Sequence, residues 1–451
     1  MRKERILSDL IDEISMGPFG SDIKVENFID SGIPVLNGSN LTNKKLVENT
    51  FNYIAKGKAD SLKKANASRG DIVITHRGTL GQVSYIPPDS KYERYVISQS
   101  QFRVRFNKEV NPIYLTYLFH TDYGQKKLLS FKNHVGVPAL AQATSNFKLL
   151  NLLLHDKVEQ DKIANILSLL DSKIEINNKM SAELVSIAKT LYDYWFVQFD
   201  FPDKNGQPYK SSGGKMIYNN LLKRNIPKGW EVKSIDCFIA SDKSGDWGKE
   251  EPEGNYITKV ECIRGADING INGKAEVKAP TRFILEKNAH KILQPGDLVI
   301  EISGGSPTQS TGRLAYITNE VLERFHNPLI CSNFCKAVSL NAEEDMFYFV
   351  YSWNKAYDNG VFFGFEGKTS GIKNLLFESL VSHYKIVSPD EKTLTTFQAK
   401  VSLFEKCKQK NLKQNQQLAE LRDWLLPMLM NGQVTVADAF EKIEQTAANE
   451  A

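Results

Sequence analysis

Gly70-Asp71-Ile72-Val73-Ile74, leading to Gly81-Gln82-Val83-Ser84-Tyr85-Ile86, returns in the second half of the chain as Gly296-Asp297-Leu298-Val299-Ile300, leading to Gly312-Arg313-Leu314-Ala315-Tyr316-Ile317. Ser100-Gln101-Phe102-Arg103-Val104 answers to Ser332-Asn333-Phe334-Cys335-Lys336. The aromatic run Pro112-Ile113-Tyr114-Leu115-Thr116-Tyr117-Leu118-Phe119 answers to Met346-Phe347-Tyr348-Phe349-Val350-Tyr351-Ser352-Trp353. Each copy ends in a long amphipathic helix, over residues 160–199 and 393–430. Two large units imply two copies of one binding task rather than a solenoid of small repeats. The expected fold class is α+β: two similar globular units separated by two long helices that form an antiparallel coiled coil.

At 451 residues the chain has room for two or three domains, and its 41% hydrophobic and 24% charged content is ordinary for a globular protein. No apolar run is long enough to span a bilayer, and the start Met1-Arg2-Lys3-Glu4-Arg5 does not read as a signal peptide. A cytoplasmic protein with no membrane partner is expected. Five scattered cysteines do not form a disulfide framework. The net charge of +4 hides an asymmetry, because residues 1–156 carry 21 Lys/Arg against 15 Asp/Glu while residues 200–388 carry 23 of each. Such mild basicity permits nucleic-acid binding without demanding it.

Along the chain, a first unit occupies residues 1–156 and a long helix residues 157–199. A linker and second unit fill residues 200–388, a second helix residues 389–430, and a polar tail residues 431–451. Asp71-Ile72-Val73-Ile74-Thr75 and Gln101-Phe102-Arg103-Val104-Arg105-Phe106 have strand length and alternation. One helix is expected over 113–129 from its three- and four-residue apolar steps. Residues 201–230, rich in Pro, Gly and Ser, read as a linker. The first long helix carries a four-three seam of Ile163, Leu167, Leu170, Ile174, Asn177, Ser181, Leu184, Ala188, Leu191 and Trp195. The second carries Phe397, Val401, Phe404, Lys408, Asn411, Asn415, Leu418, Arg422 and Leu425. Both seams turn polar at the centre. Antiparallel pairing about the midpoints brings Asn177 and Ser181 to Asn411 and Asn415, which fixes register at some cost in stability. Two independent bundle helices are the alternative.

Little in the sequence reads as catalytic. Asn111-Pro112-Ile113-Tyr114 comes near the Asn-Pro-Pro-Tyr signature of adenine-N6 methyltransferases, but no glycine-rich cofactor turn precedes it. Pro389-Asp390-Glu391-Lys392 suits the first turn of a helix better than a nuclease centre, whose acids converge from separate strands. No Gly-x4-Gly-Lys-Ser/Thr phosphate loop, His-Glu-x-x-His or Gly-x-Ser-x-Gly occurs. Cys331-x3-Cys335 near His326 lacks a second pair at metal-ligand spacing, and Cys335 matches Arg103 of the first copy, so a buried strand position is the better reading. No catalytic residue, no metal and no cofactor bound by this chain are expected.

What remains is a set of polar, glycine-punctuated loops at equivalent places. The first unit offers Phe19 and Ser21; Asn37, Ser39 and Asn40; His76, Arg77, Thr79 and Gln82; and Asn133 and His134. The second offers Lys243 and Trp247; Arg264; Ser303, Ser306, Gln309 and Ser310; Arg313; and Lys368 and Thr369. These side-chain types read base edges and hold phosphates, and glycine lets backbone approach a duplex. The framework repeats while the loops differ, as expected of two scaffolds reading two sequences. Plain solvated turns are the alternative for each residue.

With these pieces assembled, the chain resembles the specificity (S) subunits of Type I restriction–modification systems over nearly its whole length. The carriers are Ser31-Gly32-Ile33-Pro34-Val35, Gly78-Thr79-Leu80-Gly81-Gln82-Val83, Ile226-Pro227-Lys228-Gly229-Trp230-Glu231, Gly296-Asp297-Leu298-Val299 and Leu421-Arg422-Asp423-Trp424-Leu425-Leu426-Pro427. The second unit departs from the simple Gly-Thr-x-Gly turn with Ser303-Gly304-Gly305-Ser306-Pro307. The resemblance implies two target recognition domains, each reading half of a split double-stranded DNA sequence. It implies helices that act as a ruler and as a dock for two methyltransferase (M) subunits, with restriction/translocation (R) subunits added. S-adenosylmethionine, ATP and Mg²⁺ would belong to those partners. The competing classes are a self-contained adenine-N6 methyltransferase or nuclease with an unrecognised active site, and a coiled-coil scaffold that binds protein.

Overall fold

The computed structural model describes residues 2–20, 22–133, 138–304, 308–369 and 372–448. The chain divides into two compact units, one built from residues 1–173 with 418–451 and the other from residues 174–417. The organising element of the first is a four-stranded antiparallel sheet in the order Ile11–Met16, Gln101–Phe106, Ile72–Thr75, Val83–Tyr85. The second unit repeats it as Ile239–Ser244, Cys335–Leu340, Leu298–Glu301, Leu314–Tyr316. Even the irregularity repeats, with a register shift where the first strand enters each sheet. In the sheet, Gln101 stands opposite Thr75 and Cys335 opposite Glu301. Cys335 therefore corresponds to Gln101, and the expected match to Arg103 is wrong by two residues. A slip of two keeps every side chain on its own face, so alternation alone could not expose the error.

The repeated turn before the second pair of strands has a physical reason. Gly70 (φ 86°) and Gly296 (φ 94°) occupy the left-handed region that favours glycine. The buried aspartate after each closes the turn: Asp71 accepts from the Ser68 N–H at 2.9 Å and Asp297 from the Gln294 N–H at 2.8 Å. Arg105 Nε donates to Asp71 at 2.7 Å, and the Ser339 hydroxyl, at the matching strand position, donates to Asp297 at 2.6 Å. At the other end of the sheet, Gly17 and Gly245 sit where the first strand meets the turn leading into its neighbour. A Cβ would lie 1.9 Å from the Ser98 carbonyl oxygen in one and 2.0 Å from that of Ser332 in the other.

The single helix expected over 113–129 is two, Pro112–Phe119 and Asp122–Leu129. Thr121 breaks the run, its hydroxyl accepting from the Gly124 N–H as an N-cap. Residues 201–230 contain a hairpin, Met216–Asn219 with Arg224–Pro227, and bury Phe201 and Trp230. The tail is not free either. Helix Val436–Ala448 sets Ala439 into the core of the first unit, with Val436 and Ile443 packed against it.

The two long helices are continuous over Lys157–Tyr192 and Glu391–Asn431. In the first unit Ile163, Ile166, Leu167 and Leu170 join Leu421, Leu425, Leu426 and Leu429 in one apolar core with Phe102, Phe119 and Phe147. Full burial of a Leu or Ile contributes about 1.5–3 kcal/mol each. Beside this core Arg422 donates to Asp171 at 2.6 Å, and Tyr117 also donates to that carboxylate. In the second unit Asn177 Nδ2 donates to Gln414 at 2.8 Å and Asn415 at 2.9 Å, and Asn411 Nδ2 donates to the Ser181 hydroxyl at 3.2 Å. The higher number on one helix meets the lower on the other, so the helices run antiparallel. Ile174, Leu184 and Phe404 are half-buried along the helices of this unit and Val401 is fully buried, whereas Leu418 packs against the core of the first unit. Lys408, a seam position by spacing, turns instead to Glu405 and the Tyr316 hydroxyl, both at 2.6 Å.

Two outcomes follow from these contacts. Gly245→Ala forces a methyl against backbone and should lower unfolding free energy by about 1–3 kcal/mol in denaturant titrations. Gly57→Ala, a helical site with open space around it, should stabilise by about 0.4–1 kcal/mol. Equal stability of the two variants would contradict the close approach at Ser332. Asn177→Ala should cost about 1–3 kcal/mol by leaving its partners unsatisfied. Adding Asn415→Leu to Asn177→Leu should recover stability; continued loss in the double variant would show that the polar centre is needed for more than register.

Candidate nucleic-acid interface

The sheet of the first unit ends where Ile11–Met16 and Ile72–Thr75 finish and Gln101–Phe106 and Val83–Tyr85 begin, so four strand ends and the three connections between and beyond them meet at one rim. Most of the loops singled out in the first unit lie there. Phe19 follows the first strand and is 83% exposed. Arg77 and Thr79 are exposed on the turn after Ile72–Thr75, and Arg77 makes no side-chain hydrogen bond or ion pair to a described residue. That turn is held by an Arg77–Ala139 bridge and by the Gly78 N–H donating to the Pro138 carbonyl at 3.1 Å, which brings in exposed Asn133, whose N–H donates to the Ala139 carbonyl at 2.8 Å. Ser21 and His134 lie outside the described residues.

Several candidates serve the rim without facing outward. His76 is buried, its Nε2 within 3.0 Å of the Gln99 carbonyl, and burial lowers its pKa, leaving it neutral rather than a cation for phosphate. Asn40 is fully buried and donates to the carbonyls of Val47 and Thr50. The exposed Asn37 accepts from the Ser39 N–H at 2.8 Å and caps the short turn that carries Ser39. Gln82 Nε2 donates to the Gly38 carbonyl at 3.1 Å, tying this turn to the sheet.

In the second unit the same rim carries Trp247, Ser303 and the 308–310 segment. Gln309 is exposed; Ser310 is buried, its hydroxyl donating to Glu366 at 2.7 Å beside the Thr311 N–H at 2.8 Å. Ser303 donates to Asn374 at 2.5 Å. Arg313 forms a two-pronged pair with buried Glu301 at 2.9 and 2.6 Å, and that carboxylate raises the Arg313 pKa further. Its counterpart in the first unit is the neutral Thr75–Gln82 hydrogen bond at 3.1 Å. Arg264 is spent on Asp267 at 2.8 Å and the Lys278 carbonyl at 2.6 Å. Lys243 reaches away from the rim to Asp297 at 3.2 Å. Lys368 and Thr369 lie on strand Glu366–Thr369, which pairs with Ile372–Leu375; Ser306 is outside the described residues. The sequence reading missed Phe334, which is 53% exposed beside Cys335–Leu340. The two-residue alignment error had equated it with buried Phe102, whereas its true counterpart is Ser100.

The catalytic look-alikes have structural occupations. Asn111 caps helix Pro112–Phe119, accepting from the N–H groups of Ile113 and Tyr114, while buried Tyr114 hydrogen-bonds His155. Asp390 caps Glu391–Asn431 through the Thr393 N–H at 3.0 Å and also accepts from the Trp230 indole at 2.8 Å. Cys331 and Cys335 are buried in the second unit, and burial pushes the Cys335 thiol up to about 12. Among the described residues no group of His, Cys, Asp and Glu could hold a metal ion, and no helix is long and apolar enough to cross a membrane.

Comparison with known proteins agrees with this architecture. The chain is 25% identical over 434 residues to the Type I restriction enzyme MjaIX specificity subunit of Methanocaldococcus jannaschii, covering 92% of this chain and 90% of that protein. It is 23% identical over 421 residues to the Type I restriction enzyme HindI specificity subunit of Haemophilus influenzae, covering 82% and 88%. Its fold is similar to the Type I restriction-modification S subunit of M. genitalium, with a TM-score of 0.57 at 16% identity, over 95% of this chain and 96% of that one. Residues 19–186 match the family model described as the Type I restriction modification DNA specificity domain. The chain is thus similar over most of its length to Type I restriction enzyme specificity subunits, and its residues 19–186 match the DNA specificity domain of that family.

Proposed function

We propose that this chain chooses the DNA sequence on which a Type I restriction–modification complex acts, reading a bipartite target with one rim per half-site. The observation that carries this is the repetition of one sheet, strand for strand, with different side chains at the same rim: Arg77 and Thr79 in one copy, Ser303, Gln309 and Phe334 in the other. A framework kept while its loops change is what two independent readers need. Backbone contacts position such a reader and side chains at base edges specify the sequence.

In this reading the chain itself performs no chemistry. Two methyltransferase subunits and the restriction/translocation subunits dock on it, in the cytoplasm, and bring S-adenosylmethionine, ATP and Mg²⁺. Asn111 and Tyr114 speak against a methyl-transfer site here, since the cap and the buried ring leave neither free to grip an adenine.

Exchanging residues 1–156 for the corresponding segment of a relative should change one half of the recognised sequence and leave the other, as read by sequencing of methylated or bound duplexes. A simultaneous change in both halves would refute independent readers. Two arginines separate reading from support. Arg77→Ala should leave unfolding unchanged and weaken DNA binding by about 1–3 kcal/mol, relaxing preference at one base if it reads guanine. Arg313→Ala should instead destabilise the fold by about 3–5 kcal/mol, because Glu301 is left as an unpaired buried charge. An Arg313→Ala chain of parental stability would reverse those roles.

A further inference from the structure

Most rim loops differ between the two units, but one keeps its pattern. Gly17-Pro18-Phe19-Gly20 and Gly245-Asp246-Trp247-Gly248 both read glycine, variable residue, aromatic, glycine. Both directly follow the first strand of their sheets, Ile11–Met16 and Ile239–Ser244. In each, the leading glycine is pressed against the backbone of Ser98 or Ser332, so the loop leaves the rim at a fixed point. A tight turn then presents the ring. The Phe19 N–H donates to Asp22 Oδ2 and the Asp22 N–H donates back to the Phe19 carbonyl, both at 2.9 Å. Asp246 accepts from the Gly248 N–H at 3.0 Å and from Asn288 at 2.6 Å. Phe19 is 83% exposed; Trp247 is 37% exposed, with the Arg282 guanidinium 4.2 Å from its ring centre.

A single exposed aromatic is ordinary. An aromatic with exposed ring surface at the same place in both units, each on a braced turn, calls for a shared task. Loops that read different bases must differ, whereas a feature common to both serves a step that both half-sites need regardless of sequence. Stacking on a nucleobase where the duplex is opened is such a step, because every unstacked base offers a π-face. Phe also has no polar side-chain atom with which to select a base by hydrogen bonding. We infer that Phe19 and Trp247 are equivalent stacking contacts, each ring resting on a nucleobase of its own half of the DNA target without selecting which base. The inference rests on the DNA-reading role proposed above.

The test uses the full chain, purified with its co-assembling subunits, on its target duplex carrying 2-aminopurine at successive positions. With the parent chain, one position in each half-site should change fluorescence on binding. Phe19→Ala should abolish the signal in the first half-site and preserve the second; Trp247→Ala should do the converse. Each should weaken binding by about tenfold, the order of one base–aromatic stack. Phe19→Trp should restore signal and affinity, and the recognised sequence should stay the same throughout. The surviving half-site serves as the folding control within each variant. Loss of both signals together, a changed base preference, or undiminished signal and affinity in both alanine variants would overturn the inference. Failure of the parent complex to bind any duplex would instead overturn the DNA-reading role itself.

Discussion

Each globular half is closed by the same short pairing. Lys3–Ile6 pairs antiparallel with Asn151–Leu154, and Glu231–Ser234 with Lys385–Ser388. In both cases the later strand ends just before a long helix begins, at Lys157 and Glu391. The pairing therefore joins the two ends of a globular segment and fixes where its helix leaves. Because the chain turns from the opening strand through a short helical turn, Leu7–Leu10 or Ile235–Phe238, directly into the first sheet strand, the same pairing also sets the sheet's position beneath the helix. Everything at the rim is hung on that closure. The loops that make the halves differ lie between closed ends, where they can vary without moving the framework.

The helix pair adds a second constraint. Each helix contributes one segment to the core of the first unit and another to the second, so neither is an independent rod. Charged and amide groups are placed in the pair where an apolar seam alone would tolerate slippage: Arg422 with Asp171 in one unit, Asn177 with Asn415 and Asn411 with Ser181 in the other. Misalignment by one turn would strip these groups of their partners, a cost of about 1–3 kcal/mol for each that is buried, as Asn177 and Ser181 are. The polar centre thus specifies register in the way that polar seam positions do in coiled coils. The terminal helix completes the first core through Ala439, which brings both ends of the chain into one unit.

The repeat, the two helices and their polar centres were legible because they rest on spacing, and spacing survives in sequence. Two features were not. The break at Thr121 depends on one hydroxyl choosing a cap over a solvent contact, a choice that apolar periodicity cannot register. The two-residue slip between Arg103 and Cys335 was invisible because strand alternation has period two. Residue type alone could not sort the candidate site residues, for a different reason. Asn, Arg and Ser are suited to base edges and equally suited to a protein's own carbonyls and carboxylates. Asn40, Arg264, Ser310 and Arg313 are committed inward, whereas Arg77, Thr79, Asn133 and Gln309 face out, and the residue types alone do not distinguish them.

The central claim is that two equivalent rims read two separate stretches of one duplex. Selection from a random duplex pool by the full chain with its co-assembling subunits, followed by sequencing of the bound fraction, tests it most directly. The account predicts two short specified blocks separated by an unspecified gap of constant length, with affinity falling steeply as salt rises. A single uninterrupted motif, or enrichment of no sequence at all, would contradict it.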